Sequence, residues 1–203
     1  MPLVEPVALA ALTTLRTGGK PDHLIEAHTR DELVASVREA WAADEPWMVL
    51  GGGSNLFVGD DEIEGTVIRI MTRGIEVLPS PRDGYVRMRV QAGHDWDDLV
   101  RMTVDRGYAG VEAMSGIPGT AGAAPIQNVG AYGQEIVQTL VDVDLLDEET
   151  GEVETVSAAE LGLGFRTSVL KQHYGAEPAR RGVIVSITLE LADVGGGDRP
   201  VAG

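Results

Sequence analysis

The side chains in this sequence that can do chemistry are few and scattered. Arg166 stands in the run Gly164-Phe165-Arg166-Thr167-Ser168, between an aromatic ring and two hydroxyls. A guanidinium so placed can hold a carboxylate through two parallel N–H bonds. Taken alone, it reads more readily as an ordinary surface arginine. Lys171, His173 and Tyr174 follow closely and read as solvated side chains. His23, His28, His94 and His173 show no ligand spacing, which predicts that there is no metal site. No Ser-His-Asp arrangement can be argued from the order of residues. The chain has no cysteine. That removes disulfides, zinc-thiolate sites and cysteine nucleophiles, and it fits a reducing cytoplasm.

The stronger chemical signal lies in the backbone. Residues 114–133 (MSGIPGTAGAAPIQNVGAYG) contain no charged residue, whereas the chain as a whole is 24% charged. Simple proportion would place about five charges in a segment of this length. It carries instead Gly116, Gly119, Gly122, Gly130 and Gly133, with Ser115, Thr120, Gln127, Asn128 and Tyr132 as uncharged polar groups. Ile117, Pro118, Pro125, Ile126 and Val129 interrupt the glycines, so this is no flexible linker. Gly allows a ligand to approach the main chain closely. A shorter patch, Gly51-Gly52-Gly53-Ser54-Asn55, lies upstream. It lacks the Lys-Ser/Thr of a phosphate-binding P-loop, and Leu56 replaces the third glycine of a dinucleotide fingerprint. By themselves the two patches also read as a tight strand-to-loop turn and a packed Ω-loop.

The elements around these patches follow from periodicity. Residues 23–27 read as a short strand. Thr29 and Glu32 form a capping box for a helix whose apolar stripe is Leu33, Val34, Val37, Ala40 and Trp41. Residues 47–50 are an apolar strand running straight into Gly51, and residues 66–70 form another. This order predicts a small α/β unit over residues 1–74. Residues 85–91 alternate as a half-buried strand. Asp95 caps a helix with Asp98 at the third position, and Gly107 ends it. Residues 141–146 and 152–156 flank Glu149-Thr150-Gly151 as a hairpin. Ser157 and Glu160 predict a second capping box and a short helix. Val183, Val185, Ile187, Leu189 and Leu191 alternate along a last strand. These elements predict an α+β unit, mainly antiparallel sheet, over residues 75–203. The glycine-rich tail 193–203 reads as either a connection onward or a frayed end.

The bulk numbers narrow the partners. With 16 basic and 32 acidic residues the net charge is -16. Such a field repels nucleic acid and anionic membrane. An anionic ligand would need local backbone N–H groups or a few chosen cations to hold it. No apolar run approaches the ~20 residues of a membrane span. The first residues lack a basic n-region and a cleavage site, so they read as mature sequence.

Taken together, five segments closely resemble the UDP-N-acetylenolpyruvoylglucosamine reductase family (MurB). They are Thr14-Leu15-Arg16-Thr17-Gly18-Gly19, Leu50-Gly51-Gly52-Gly53-Ser54-Asn55, Ile117-Pro118-Gly119-Thr120-Ala121-Gly122, Pro125-Ile126-Gln127-Asn128-Val129-Gly130-Ala131-Tyr132-Gly133 and Phe165-Arg166-Thr167-Ser168. They occur in the family's order and spacing. The resemblance implies an α+β, two-subdomain FAD-binding fold of the MurB and vanillyl-alcohol-oxidase (PCMH) type. It assigns FAD contacts to Gly51, Gly52, Gly53, Ser54 and Asn55 on one wall. On the other it assigns Ser115, Ile117, Gly119, Thr120, Gly122, Ala123, Ala124, Gln127, Asn128, Gly130, Ala131 and Tyr132, with Ile184 on the last strand. It implies NADPH as hydride donor, an enolpyruvyl UDP-N-acetylglucosamine substrate, and Arg166 as the arginine that stabilises charge at the substrate carboxylate. A cytoplasmic monomer is expected.

The sequence departs from the family in places. Phe165 replaces the usual tyrosine, Thr167 an acidic or amide residue, and Ala124 a small hydroxyl residue. The Gly-Ser-Phe-Phe motif that carries the family's proton-donor serine does not occur, nor does its C-terminal glutamate motif. The expectation is therefore a flavin-binding portion that is incomplete as a catalyst, or a non-catalytic flavin- or partner-binding module. An oxidase that tethers its flavin covalently ranks last, because neither glycine patch holds a histidine or cysteine.

Overall fold

The computed structural model describes residues 2–43, 45–172, 175 and 177–195. His173, Tyr174 and residues 196–203 of the tail lie outside the described residues.

The first sheet has the order β1-β2-β4-β3, with β1 Leu3–Val4, β2 Pro21–Ala27, β3 Trp47–Leu50 and β4 Ile63–Ile70. β2 and β3 both run parallel to β4, and β1 runs antiparallel to β2. Between β2 and β3 lies helix α1, Arg30–Ala42. Thr29 caps it: its hydroxyl accepts from Glu32 N–H at 3.2 Å, and the Glu32 carboxylate accepts from Thr29 N–H at 3.0 Å. This reciprocal pair satisfies two of the donors that a helix start leaves open. The helix buries Leu33, Ser36, Val37 and Ala40, while Val34 and Trp41 of the expected stripe are half-buried.

The second sheet is antiparallel, ordered β11-β10-β12-β6-β5. Its strands are β5 Ile75–Pro79, β6 Tyr85–Gln91, β10 Leu140–Asp147, β11 Val153–Ser157 and β12 Gly182–Asp193. A short strand β7, Tyr108–Ala109, pairs with the end of β12. Helix α2, Trp96–Asp105, follows β6, and the Asp95 carboxylate accepts from Asp98 N–H at 3.0 Å as its cap. Two two-residue strands, β8 Gly130–Ala131 and β9 Gln134–Glu135, form a separate hairpin. Its turn residues Tyr132 and Gly133 both have positive φ, 49° and 86°, the requirement of a type I′ turn.

β12 is more deeply placed than its alternating pattern indicated. Its residues 183–189 are buried without a break, because it lies between β10 and β6 with packing on both faces. One core cluster joins the two sheets: Ile25, Ala27, Leu33, Val37, Ala40 and Ile68 pack with Leu146, Val183 and Val185. Arg30 Nη1 also donates to Asp144 Oδ2 at 2.7 Å, linking α1 to β10.

The short helix expected at Ser157 and Glu160 is a turn. The Ser157 hydroxyl and N–H both point at the Glu160 carboxylate, 2.5 and 3.0 Å away. Glu160 N–H bonds to the Ser157 carbonyl. The hydroxyl thus donates where a helix cap would accept, and the backbone closes on itself at once.

Candidate functional site

The two glycine patches face each other. β3 ends at Leu50 and delivers residues 51–55 to one side of a cleft with a volume of about 300 Å³; residues 117–127 supply the other side. Ile70, Ala92, Trp96 and Val129 line it with apolar surface, and Gly182, Val183 and Ile184 complete it from β12. The volume is at the low end for ligand sites.

Close approach explains the glycines. A Cβ on Gly52 would come within 2.9 Å of the Gly119 Cα, and one on Gly51 within 2.9 Å of the Thr120 hydroxyl oxygen. Any larger residue would push the walls apart. Two hydrogen bonds cross the cleft: Ser54 Oγ donates to the Pro118 carbonyl at 3.1 Å, and Asn55 Nδ2 to Gln127 Oε1 at 3.1 Å.

The backbone N–H groups of Gly51, Gly52, Gly53, Ser54, Asn55, Gly119 and Thr120 have no protein acceptor among the described residues. Gly53 is buried and Gly51, Ser54, Gly119 and Thr120 are half-buried, where backbone donors are normally paired; Gly52 and Asn55 are exposed. Unpaired donors on two facing loops are groups that can bind phosphate oxygens.

Helix α2 holds the second wall in place. Trp96 N–H donates to the Gly119 carbonyl at 3.1 Å; Ala121 and Gly122 N–H donate to the His94 and Ala92 carbonyls at 2.8 Å. The buried Trp96 indole donates to the Met114 carbonyl at 3.1 Å. Asp97 accepts from Gly116 N–H at 2.6 Å and from the Ser115 hydroxyl at 3.1 Å. These bonds, the Gly116 amide first, hold the Asp97 carboxyl below its usual range. Burial lowers the pKa of His94, and Arg73 adds to this. The neutral ring accepts from Gly74 N–H at 3.4 Å.

Of the residues singled out from the sequence, the cleft brings together Gly51, Gly52, Gly53, Ser54, Asn55, Ile117, Gly119, Thr120, Gly122, Ala123, Ala124, Gln127 and Ile184. Ser115, Asn128, Gly130, Ala131, Tyr132 and Arg166 lie outside this lining. Ser115 is turned to Asp97. Asn128 is buried with φ +45°, and its amide bonds Glu135, the Gly164 carbonyl and Val137 N–H at 3.0, 3.0 and 3.2 Å. Its side chain builds the wall from behind. Tyr132 is 95% exposed at the tip of the β8–β9 hairpin.

Arg166 is held beside the wall. Its guanidinium donates to the Gly130 carbonyl at 2.8 Å and the Asn128 carbonyl at 3.4 Å, and its own φ is +55°. That backbone state is uncommon for a non-glycine residue and is worth attention at a functional position. Ser168 Oγ ties the same turn to the Ile126 carbonyl at 2.6 Å. Lys171, expected to be a solvated side chain, is half-buried and lines the cleft. Among the described residues no group of three or more His, Cys, Asp or Glu gathers as a metal site, and no helix is long and apolar enough to cross a membrane.

Comparison with known proteins agrees with this geometry. A family described as an FAD binding domain matches residues 21–157. The UDP-N-acetylenolpyruvoylglucosamine reductase of Leifsonia xyli subsp. xyli is 55% identical over 191 residues, covering 94% of this chain and 49% of that protein. The same-named protein of Saccharopolyspora erythraea is 48% identical, covering 96% and 51%. The chain thus spans about half the length of the curated relatives it matches. The crystal structure of UDP-N-acetylenolpyruvylglucosamine reductase (MurB) from Thermus caldophilus superposes with a TM-score of 0.72 at 29% identity, covering 96% of this chain and 64% of that one. A solvent-stable cholesterol oxidase superposes at 0.59 with 15% identity and bears on the fold alone. The fold is therefore the expected α+β FAD-binding type, and the chain belongs to the FAD binding domain family, with the FAD-binding portion of the MurB reductases as its near relative.

Proposed function

We propose that this chain is the FAD-binding portion of a UDP-N-acetylenolpyruvoylglucosamine reductase and that the cleft between the glycine loops holds the cofactor. The observation that carries this is the set of unpaired N–H groups on residues 51–55, 119 and 120. The residues present fit FAD. Its diphosphate needs converging donors, and an acidic chain supplies them here from neutral backbone. Its rings need apolar walls, which Ile70, Ala92, Trp96 and Val129 offer. Bound FAD would carry hydride from NADPH to the enolpyruvyl group of a UDP-N-acetylglucosamine substrate, which with one added proton would give UDP-N-acetylmuramate for peptidoglycan synthesis.

The chain's own residues bind, orient and exclude water. The amides of residues 51–55 would hold the diphosphate, with Thr120 on the facing wall. Ser54 and Asn55 tie the loops across the cleft. Arg166, fixed by two carbonyls, presents its remaining N–H groups to the substrate carboxylate, where negative charge develops. We place the protein in the cytoplasm as a monomer, consistent with its lack of cysteine and its acidic surface.

A second reading is a flavin-binding module without turnover. The placement of Arg166, exposed and outside the cleft lining, favours it. NADPH oxidation that depends on the enolpyruvyl UDP-sugar, measured anaerobically with the FAD-loaded chain, separates the two. Turnover supports the reductase reading; tight FAD binding without turnover supports the module.

A further inference from the structure

Among the described residues lining the cleft, Lys171 is the one that is charged. Its backbone N–H bonds to the Ser168 carbonyl, and Ser168 is fastened to the Ile126 carbonyl of the cleft wall. Its ammonium donates to the Arg166 carbonyl at 2.9 Å. That uses one of three N–H donors and leaves two. The ammonium has no carboxylate partner among the described residues, although the chain has 32 acids to 16 bases. A cation kept at a neutral cleft, in a protein whose overall field repels anions, is placed to meet an anion that enters.

We propose that Lys171 is the counter-charge of the bound dinucleotide: its ammonium pairs with the diphosphate through the N–H groups that Arg166 does not use. This rests on the cleft holding FAD. Oxidised FAD carries its negative charge on the diphosphate, so the pairing belongs to binding and precedes any chemistry. The backbone donors of residues 51–55, 119 and 120 supply partial charges, and Lys171 adds the full one. It also explains the seating of the lysine. The bond to the Arg166 carbonyl limits the ammonium's motion, so less freedom is lost when the ligand binds.

The alternative role, a pin for the Arg166 turn, predicts a different response to salt. FAD is titrated into the full chain and its Lys171→Gln and Lys171→Arg variants by flavin fluorescence, at about 0.01 M and about 1 M salt, where the screening length is roughly 30 and 3 Å. Lys171→Gln should lose about tenfold in FAD affinity at low salt, the scale of one charge-assisted hydrogen bond. The deficit should shrink to about twofold or less at high salt. Lys171→Arg should restore most of the affinity. Wild-type affinity in Lys171→Gln would overturn the proposal, as would a loss of equal size at both salts. If the unmodified chain itself fails to bind FAD, the FAD reading falls first and is recognised as such.

Discussion

Gly52 and Gly119 meet across the cleft so closely that a Cβ on Gly52 would lie 2.9 Å from the Gly119 Cα. The neighbour is backbone and cannot rotate away. Gly52→Ala should therefore spread the two loops and misplace their N–H donors. We expect FAD affinity to fall by about tenfold or more, the cost of one or more charge-assisted bonds. Far-ultraviolet circular dichroism should keep its shape, because the change sits outside both sheets. Unchanged FAD affinity in this variant would show that the loops do not clasp the ligand.

Asp97 fixes the entrance to the second wall through Gly116 N–H and the Ser115 hydroxyl. In Asp97→Ala the Gly116 amide loses its acceptor while α2 keeps its Asp95 cap. Hydrogen exchange at Gly116 should accelerate, FAD should bind more weakly, and the melting temperature should change little. Wild-type protection at Gly116 would contradict the assigned role.

The Arg30–Asp144 pair joins helix α1 to strand β10 of the second sheet. The Asp144 side chain is 13% exposed and also accepts from Ser186 and Thr155 hydroxyls at 3.0 and 3.1 Å. Burial raises its pKa, but Arg30, Ser186 and Thr155 outweigh that, so the carboxyl titrates below its ordinary range. Asp147 behaves alike: burial is outweighed by Arg180 and by the Thr150 and Glu149 amides. A carboxyl depressed by folding stabilises the native state above its unfolded pKa and loses that contribution as pH falls through its folded one. Stability should thus be flat near neutrality and drop below about pH 4. Asp144→Ala should cost about 1–3 kcal/mol in urea unfolding at pH 7, less than a fully buried pair because Arg30 is 38% exposed. The variant should also show a shallower acid decline. An acid limb as steep as the wild type's would remove Asp144 from that account.

Local chemistry made much of the fold legible. Thr29 and Glu32 announced α1, Asp95 and Asp98 announced α2, and the apolar run at residues 47–50 announced a strand opening onto glycines. The strand Ile75–Pro79 was hidden, because it sits at a sheet edge with Val77 47% exposed and ends in proline. The site was legible in outline only. Asn128 and Ser115 carry groups that bind a ligand or their own chain equally well, and spacing does not say which. Tertiary bonds turn Asn128 inward to Glu135 and Ser115 to Asp97. Lys171 was missed for the converse reason: lysine is usually solvated, and tertiary bonds such as Ser168–Ile126 bring its segment to the cleft wall.

The cleft between residues 51–55 and 117–127 is proposed to bind FAD. The most direct test is equilibrium titration of the purified chain with FAD, followed by flavin fluorescence, with Gly52→Ala in parallel. Saturable binding at one FAD per chain and a clear loss in Gly52→Ala are expected. No saturable binding by the unmodified chain, or equal binding by both, would contradict the proposal.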